Sequence, residues 1–208
     1  MIERIWVAVE NGEESEDIID ITGTAMICLS ELIEPLSRTH FSGRVAQKDL
    51  VSALVQHDFL ELLGRLFLLL KPGNTPAASR PDMPRNTWFL ANSLYFVKKL
   101  AKMGPDMLLG HQFKERLDDW YKIEHALLIP RLIDASCPSS YKALRRQCLE
   151  VWWKTSESLG LTPWMRKLAG CGCSYTRCPQ WKSALPVDFM CPRCLDEKLR
   201  YCSTMCQT

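Results

Sequence analysis

Cysteine is concentrated near the end of this sequence. Seven of the ten cysteines lie between residues 171 and 206. Six of them form three closely spaced pairs: Cys173 with Cys178, Cys191 with Cys194, and Cys202 with Cys206. Such pairs can bind one ion from a single turn of chain, and zinc accepts four sulfur or nitrogen ligands in a tetrahedron. The spacing therefore predicts a structural zinc module, in which Cys171 could replace Cys173. The alternative is a segment of free thiols.

The start of the sequence bears on the state of these thiols. The first twenty residues carry seven acidic side chains against Arg4, whereas a secretory signal needs a basic start and a long apolar run. We therefore expect an intracellular protein, nuclear or cytoplasmic, whose cysteines are thiols or metal ligands rather than disulfides. Cys28, Cys137 and Cys148 are expected to be small core or surface residues.

The cysteine-rich end also resembles a known family. The stretch "MCPRC" followed by "RYCSTMCQ" is similar to the middle of a MYND-type zinc finger, and the resemblance covers roughly residues 171–207. It implies that the first and third pairs share one zinc ion, bound by four ligands: Cys173, Cys178, Cys202 and Cys206. Cys191 and Cys194 would be half of a second site, whose final histidine and cysteine are expected after Gln207, so the resemblance implies a finger that is incomplete at its C-terminal end.

The resemblance implies a function as well. MYND fingers present a shallow groove to short proline-rich peptides, so the protein is predicted to be a non-enzymatic protein-interaction adaptor with zinc as its cofactor. This prediction applies to a complete finger, and the present chain, with half of its second site, is expected to bind such peptides weakly or not at all. Trp181 could line the groove or pack beside the zinc. Trp152, Trp153 and Trp164 are expected to pack the preceding body against the finger. The whole arrangement is similar to fungal proteins with one MYND finger.

A second site could also be completed from elsewhere in the chain. His111 and His125 are possible remote ligands, although each lies in a helical pattern where a surface or packed histidine is the simpler interpretation.

Other functions are less well supported by the sequence. It contains no Gly-rich phosphate loop, no G-x-S-x-G and no H-E-x-x-H. A RING-like ubiquitin ligase needs two complete zinc sites. Residues 138–208 carry eleven Lys or Arg against five acids, a weaker excess than a nucleic-acid surface usually has. The most apolar run, 59–70, contains Glu61 and Arg65 and is too short to cross a membrane.

The sequence before residue 169 predicts an all-α body. Apolar residues recur at three- and four-residue steps from Ser15 to about Arg38, and again on both sides of a break near His57 and Asp58. The helix over 59–70 is apolar nearly all round and should be central. Further helical patterns cover 87–103, 111–134 and 139–160. We therefore predict a helical domain over 1–168, an irregular bundle or an armadillo-like body, followed by the zinc finger over 169–208.

Breaks between these helices are also predicted. "THFSG" reads as a turn, and the proline-rich stretch 71–86 reads as an exposed loop without strands. Pro130 should kink or end its helix, and "CPSS" should cap the next one.

Overall fold

The computed structural model describes residues 2–38, 41–73, 75–103, 109–133, 138–162, 189–190 and 200–201. These residues are mostly helical, which confirms the all-α class. The α-helices among them are α1 (Ile2–Glu10), α2 (Ser15–Arg38), α3 (Phe41–Gln56), α4 (Phe59–Leu69), α5 (Arg85–Ala101), α6 (Leu109–Phe113), α7 (Leu117–Ile133) and α8 (Ser139–Ser158). A short 3₁₀ helix, Lys114–Arg116, joins α6 to α7. None of the described helices combines the length and apolar character needed to cross a bilayer.

Helix α4 lies at the centre of the body, as its composition predicted. Seven of its eleven residues are buried, and Leu63, Leu66 and Phe67 are among the least exposed side chains described. Gly64 allows α7 to approach closely, because a Cβ atom at this position would lie 2.6 Å from Cγ1 of Ile123. Burial on most of its circumference explains why the helix is apolar nearly all round, while Glu61 and exposed Arg65 mark its one polar side.

A group of aromatic rings joins α4, α5, α7 and α8. The indoles of Trp120 and Trp152 stack with centroids 3.8 Å apart, and Phe67 meets both Trp152 and Phe89 edge-on. Trp152 is fully buried in this group. The described neighbours of its ring, Trp120 and Phe67, belong to the body. The finger residues against which Trp152 was expected to pack lie outside the described ranges, so that expectation stays a prediction. Trp153, the next residue, is 43% exposed, and Trp164 lies outside the described residues.

Helix α2 packs along α5. A Cβ atom at Gly23 would come within 2.3 Å of the Trp88 ring, so this glycine is required by the close approach of the two helices. At the start of α5, the Arg85 guanidinium donates hydrogen bonds to Asp20 and Glu16 of α2. These bonds fix the end of α5 that follows the proline-rich stretch.

Several helix boundaries differ from the sequence prediction. Helix α1 was not predicted, although Ile2, Ile5, Trp6 and Val9 follow helical spacing. Helix α3 begins at Phe41, inside the predicted turn.

Two predictions about α7 and α8 also need correction. Helix α7 continues through Pro130 to Ile133, so the prediction that this proline ends the helix is wrong, while the alternative of a kink stays a prediction. The residue before α8 is Pro138, and no side chain caps that helix; instead the Pro138 carbonyl accepts the Tyr141 and Lys142 amides.

The proline-rich stretch contains two strands, contrary to the prediction of a loop without strands. Strand β1 (Pro76–Ala77) pairs antiparallel with β2 (Arg80–Pro84) across a bulge, with Ala77 opposite Arg80. Most of the hairpin is exposed, as expected, but Ala77 is buried. The hairpin thus depends on a tertiary contact that local composition does not encode.

Asp82 in this hairpin is expected to titrate abnormally. The hydrogen bond from Arg80 lowers the pKa of its carboxyl from 3.8 to about 2. Any stabilisation from this pair is fully present above pH 3.8 and is lost as pH falls through about 2. NMR titration of the full chain should report this pKa, and Arg80→Ala should raise it towards 3.8. A pKa unchanged by that substitution would mean that Arg80 is not the cause.

Candidate functional site

The predicted zinc ligands cannot be placed individually. Cys173, Cys178, Cys191, Cys194, Cys202 and Cys206 all lie outside the described residues, as do Cys171 and Trp181. Their assignment as ligands therefore stays a prediction. Of the three other cysteines, Cys28 is exposed on α2, Cys148 is buried, and Cys137 is also outside the described residues.

Two short strands are described within the cysteine-rich segment. Strand β3 (Phe189–Met190) pairs antiparallel with β4 (Arg200–Tyr201), so that Phe189 is opposite Tyr201 and Met190 is opposite Arg200. In the sequence, Cys191 directly follows β3 and Cys202 directly follows β4. Because the strands are antiparallel, the chain leaves them towards these two cysteines at opposite ends of the ladder.

The donor set in this segment suits zinc. Thiolate sulfur is a preferred zinc ligand, and four thiolates complete a tetrahedral structural site. The ladder brings together two segments of backbone that are ten residues apart in the sequence. A metal ion bound by cysteines of this part of the sequence would supply folding free energy to a module too small to form a large apolar core.

The possible remote ligand His125 has a different environment. It lies half-buried on α7, and burial lowers the pKa of its imidazole. Its Nδ1 atom is buried without a hydrogen-bond partner. Nowhere in the described ranges do three potential metal-ligating side chains converge. The side chain of His111 is not among those described, so its role is untested.

A groove on the helical body is a second candidate site. It has a volume of about 360 Å³ and lies where α1 crosses the junction of α3 and α4. Its lining residues are Trp6, Glu10, Gln56, His57, Asp58, Glu61 and Arg65. Sequence reasoning missed this groove because it missed α1. Asp58 lies in the left-handed region at φ 50°, where the chain turns from α3 into α4.

The polar groups that line this groove contact mainly one another. The Trp6 indole donates a 2.9 Å hydrogen bond to the His57 carbonyl, and the Arg65 guanidinium lies over the Trp6 ring. Arg65 also forms an ion pair with Glu61 at 2.6 Å. These contacts join α1 to the α3–α4 junction, so the lining has an evident structural role. No serine, threonine or cysteine is among the lining residues to act as a nucleophile.

Comparison with known proteins returns no family model, no curated protein and no solved structure that matches this chain.

Proposed function

We propose that this chain is a protein-interaction adaptor in which a zinc-bound cysteine module binds short proline-rich peptides of a protein partner. The β3–β4 ladder is the observation that carries this proposal. It joins the segments that lead into Cys191 and Cys202, members of different predicted pairs. Pairing between these segments supports a folded module rather than a run of independent thiols.

The ladder also supports separate ions for these two pairs. The chain reaches Cys191 and Cys202 from opposite ends of the ladder, which favours binding them to different metal positions. This agrees with an arrangement in which Cys173, Cys178, Cys202 and Cys206 bind one ion, while Cys191 and Cys194 form a separate pair. A closed site of four thiolates has no open coordination position, so its zinc organises structure and does not catalyse.

The helical body is proposed to act as a scaffold. Helix α2 packs against α5, α4 against α7, and α5 against α8, so each of these pairs joins helices three apart in chain order. A solenoid built from three-helix repeats makes the same contacts between neighbouring repeats, so the pairing is compatible with both an irregular bundle and an armadillo-like body.

Native mass spectrometry of the full chain is expected to show one bound zinc ion. Cys202→Ser removes one of the four proposed ligands and should abolish this ion at micromolar free zinc. Cys28→Ser is the matched control, because Cys28 is an exposed cysteine on α2, and it should leave the zinc content unchanged. A stable count of two ions, or zinc retained by Cys202→Ser, would contradict the proposed ligand set.

Peptide binding tests the function separately from the metal. A library of synthetic proline-rich peptides should contain weak binders, whose affinity is lost when a chelator removes zinc and is restored when zinc is returned. Zinc binding without any peptide binding would be consistent with the predicted metal site but would refute the proposed function. Ubiquitin transfer in a reconstituted assay would instead support a RING-like ubiquitin ligase. Salt-dependent retention on DNA would instead support a nucleic-acid-binding protein.

A further inference from the structure

The β1–β2 hairpin presents a second kind of interaction element. Its strand β2 reads Arg-Pro-Asp-Met-Pro, with Pro81 and Pro84 three residues apart. Both prolines are exposed, whereas Met83 is partly buried against the core. Two prolines at this spacing form the P-x-x-P pattern that aromatic-lined grooves bind when the segment is extended.

The backbone of β2 is an extended strand, and its last residue, Pro84, adopts angles close to polyproline II. A proline ring holds its own φ near about −65° and disfavours helical conformation in the preceding residue, here Arg80 and Met83. Pro84 lies at φ −57° and ψ 133°. These angles are close to those of polyproline II, about −75° and +145°. A segment restricted in this way loses little conformational entropy when a groove binds it.

The hairpin is held at both of its ends. In the turn, the Ala78 amide donates a 3.3 Å hydrogen bond to Oδ2 of Asp20 on α2, and at the base the Arg85 amide donates a 2.8 Å bond to the Thr75 carbonyl. Buried Ala77 adds an apolar contact between the hairpin and the core. Between these two points, all residues of β2 except Met83 are exposed and available to a partner.

Charge on β2 is balanced within the strand. The Arg80 guanidinium donates two hydrogen bonds of 2.9 Å to the two carboxylate oxygens of Asp82. Since these charges neutralise each other, the strand does not require a strongly charged partner surface. This favours an apolar aromatic groove.

We propose that residues 80–84 are a docking segment for a separate protein domain with an aromatic-lined groove for polyproline II segments. This inference goes beyond the adaptor function, because the helical body is here the ligand and no zinc is involved. The chain would then carry two interaction elements. The zinc module binds a proline-rich segment of a partner, and residues 80–84 are a proline-containing segment that a partner binds.

The test uses the zinc-loaded full chain and a panel of purified SH3, WW and EVH1 domains. At least one domain should bind, with an affinity reduced about 10-fold or more by the double substitution Pro81→Ala and Pro84→Ala. Pro81→Ala alone, which leaves the residue before α5 unchanged, should also weaken binding. Pro72→Ala is the matched control, since Pro72 is exposed but lies outside the hairpin. Circular dichroism should show that all variants keep the helical body.

Several outcomes would overturn the proposal. One is the absence of binding by every domain up to about 1 mM, a concentration at which even a weak specific complex is populated. Another is binding that is unaffected by the proline substitutions. Binding that appears only with an isolated peptide, or only after zinc removal, would mean that the hairpin is covered in the intact chain. A zinc-free chain that binds as well as the loaded one would support the proposal, whatever the fate of the adaptor function.

Discussion

Replacing Trp152 by alanine is expected to lower the free energy of unfolding by about 3–5 kcal/mol, the usual cost of removing a large buried aromatic side chain. The Trp152 ring is 0% exposed and stacks on Trp120 at 3.8 Å. It also contacts Phe67 edge-on, so its loss leaves a cavity between α4, α7 and α8. Urea denaturation of the full chain, followed by circular dichroism, measures the change.

Trp153→Ala is the matched control for this substitution. Trp153 is the next residue of α8, is 43% exposed, and donates one 2.6 Å hydrogen bond to Oε1 of Glu124. Its replacement should cost about 1 kcal/mol or less, since a single exposed hydrogen bond contributes little net stability. Equal losses for the two variants would show that the aromatic stack is not a principal source of stability.

Arg145→Met is expected to destabilise the protein by about 2–4 kcal/mol, because it leaves buried hydrogen-bond acceptors without a donor. Arg145 is only 5% exposed. Its guanidinium donates hydrogen bonds to the Phe67 carbonyl at 3.1 Å and the Leu68 carbonyl at 2.8 Å, both in the last turn of α4. A positive charge at this end of a helix is also favoured by the helix dipole. Methionine fills similar space but supplies neither the charge nor the donors.

The control for Arg145 is the adjacent arginine. Arg146 is exposed and forms a 3.5 Å ion pair with Glu150 one turn further along α8. Arg146→Met should change the free energy of unfolding by about 0.5 kcal/mol or less, as is usual for exposed ion pairs. Thermal or urea unfolding of both variants makes the comparison. A small effect for Arg145→Met would indicate that water or a shift of α4 satisfies the two carbonyls.

Two pairs of adjacent residues on α8, Trp152 with Trp153 and Arg145 with Arg146, show which features of the packing can be predicted from the sequence and which cannot. Leu144, Cys148, Leu149 and Trp152 follow helical spacing and are all buried, so periodicity does distinguish Trp152 from Trp153. The prediction that treated the two tryptophans alike did not use this signal. Arg145 is different: periodicity can place it beside the buried face, but its acceptors are carbonyls 77 and 78 residues away.

The sequence by itself determined the helical class, the break near His57 and Asp58, and the central position of α4. These features follow from local apolar spacing, and hydrophobic burial acts on each helix according to that spacing. Spacing also identified the cysteine pairs as candidate metal ligands. Among the described residues, only the tertiary structure decided the hairpin, the groove beside α1 and the β3–β4 ladder. The hairpin and the groove depend on contacts with α2 and α1, which are more than fifty residues away in the sequence, and the ladder depends on the pairing of two very short strands. A two-residue strand has too few side chains for a periodic signal, and its partner across the ladder determines whether it forms.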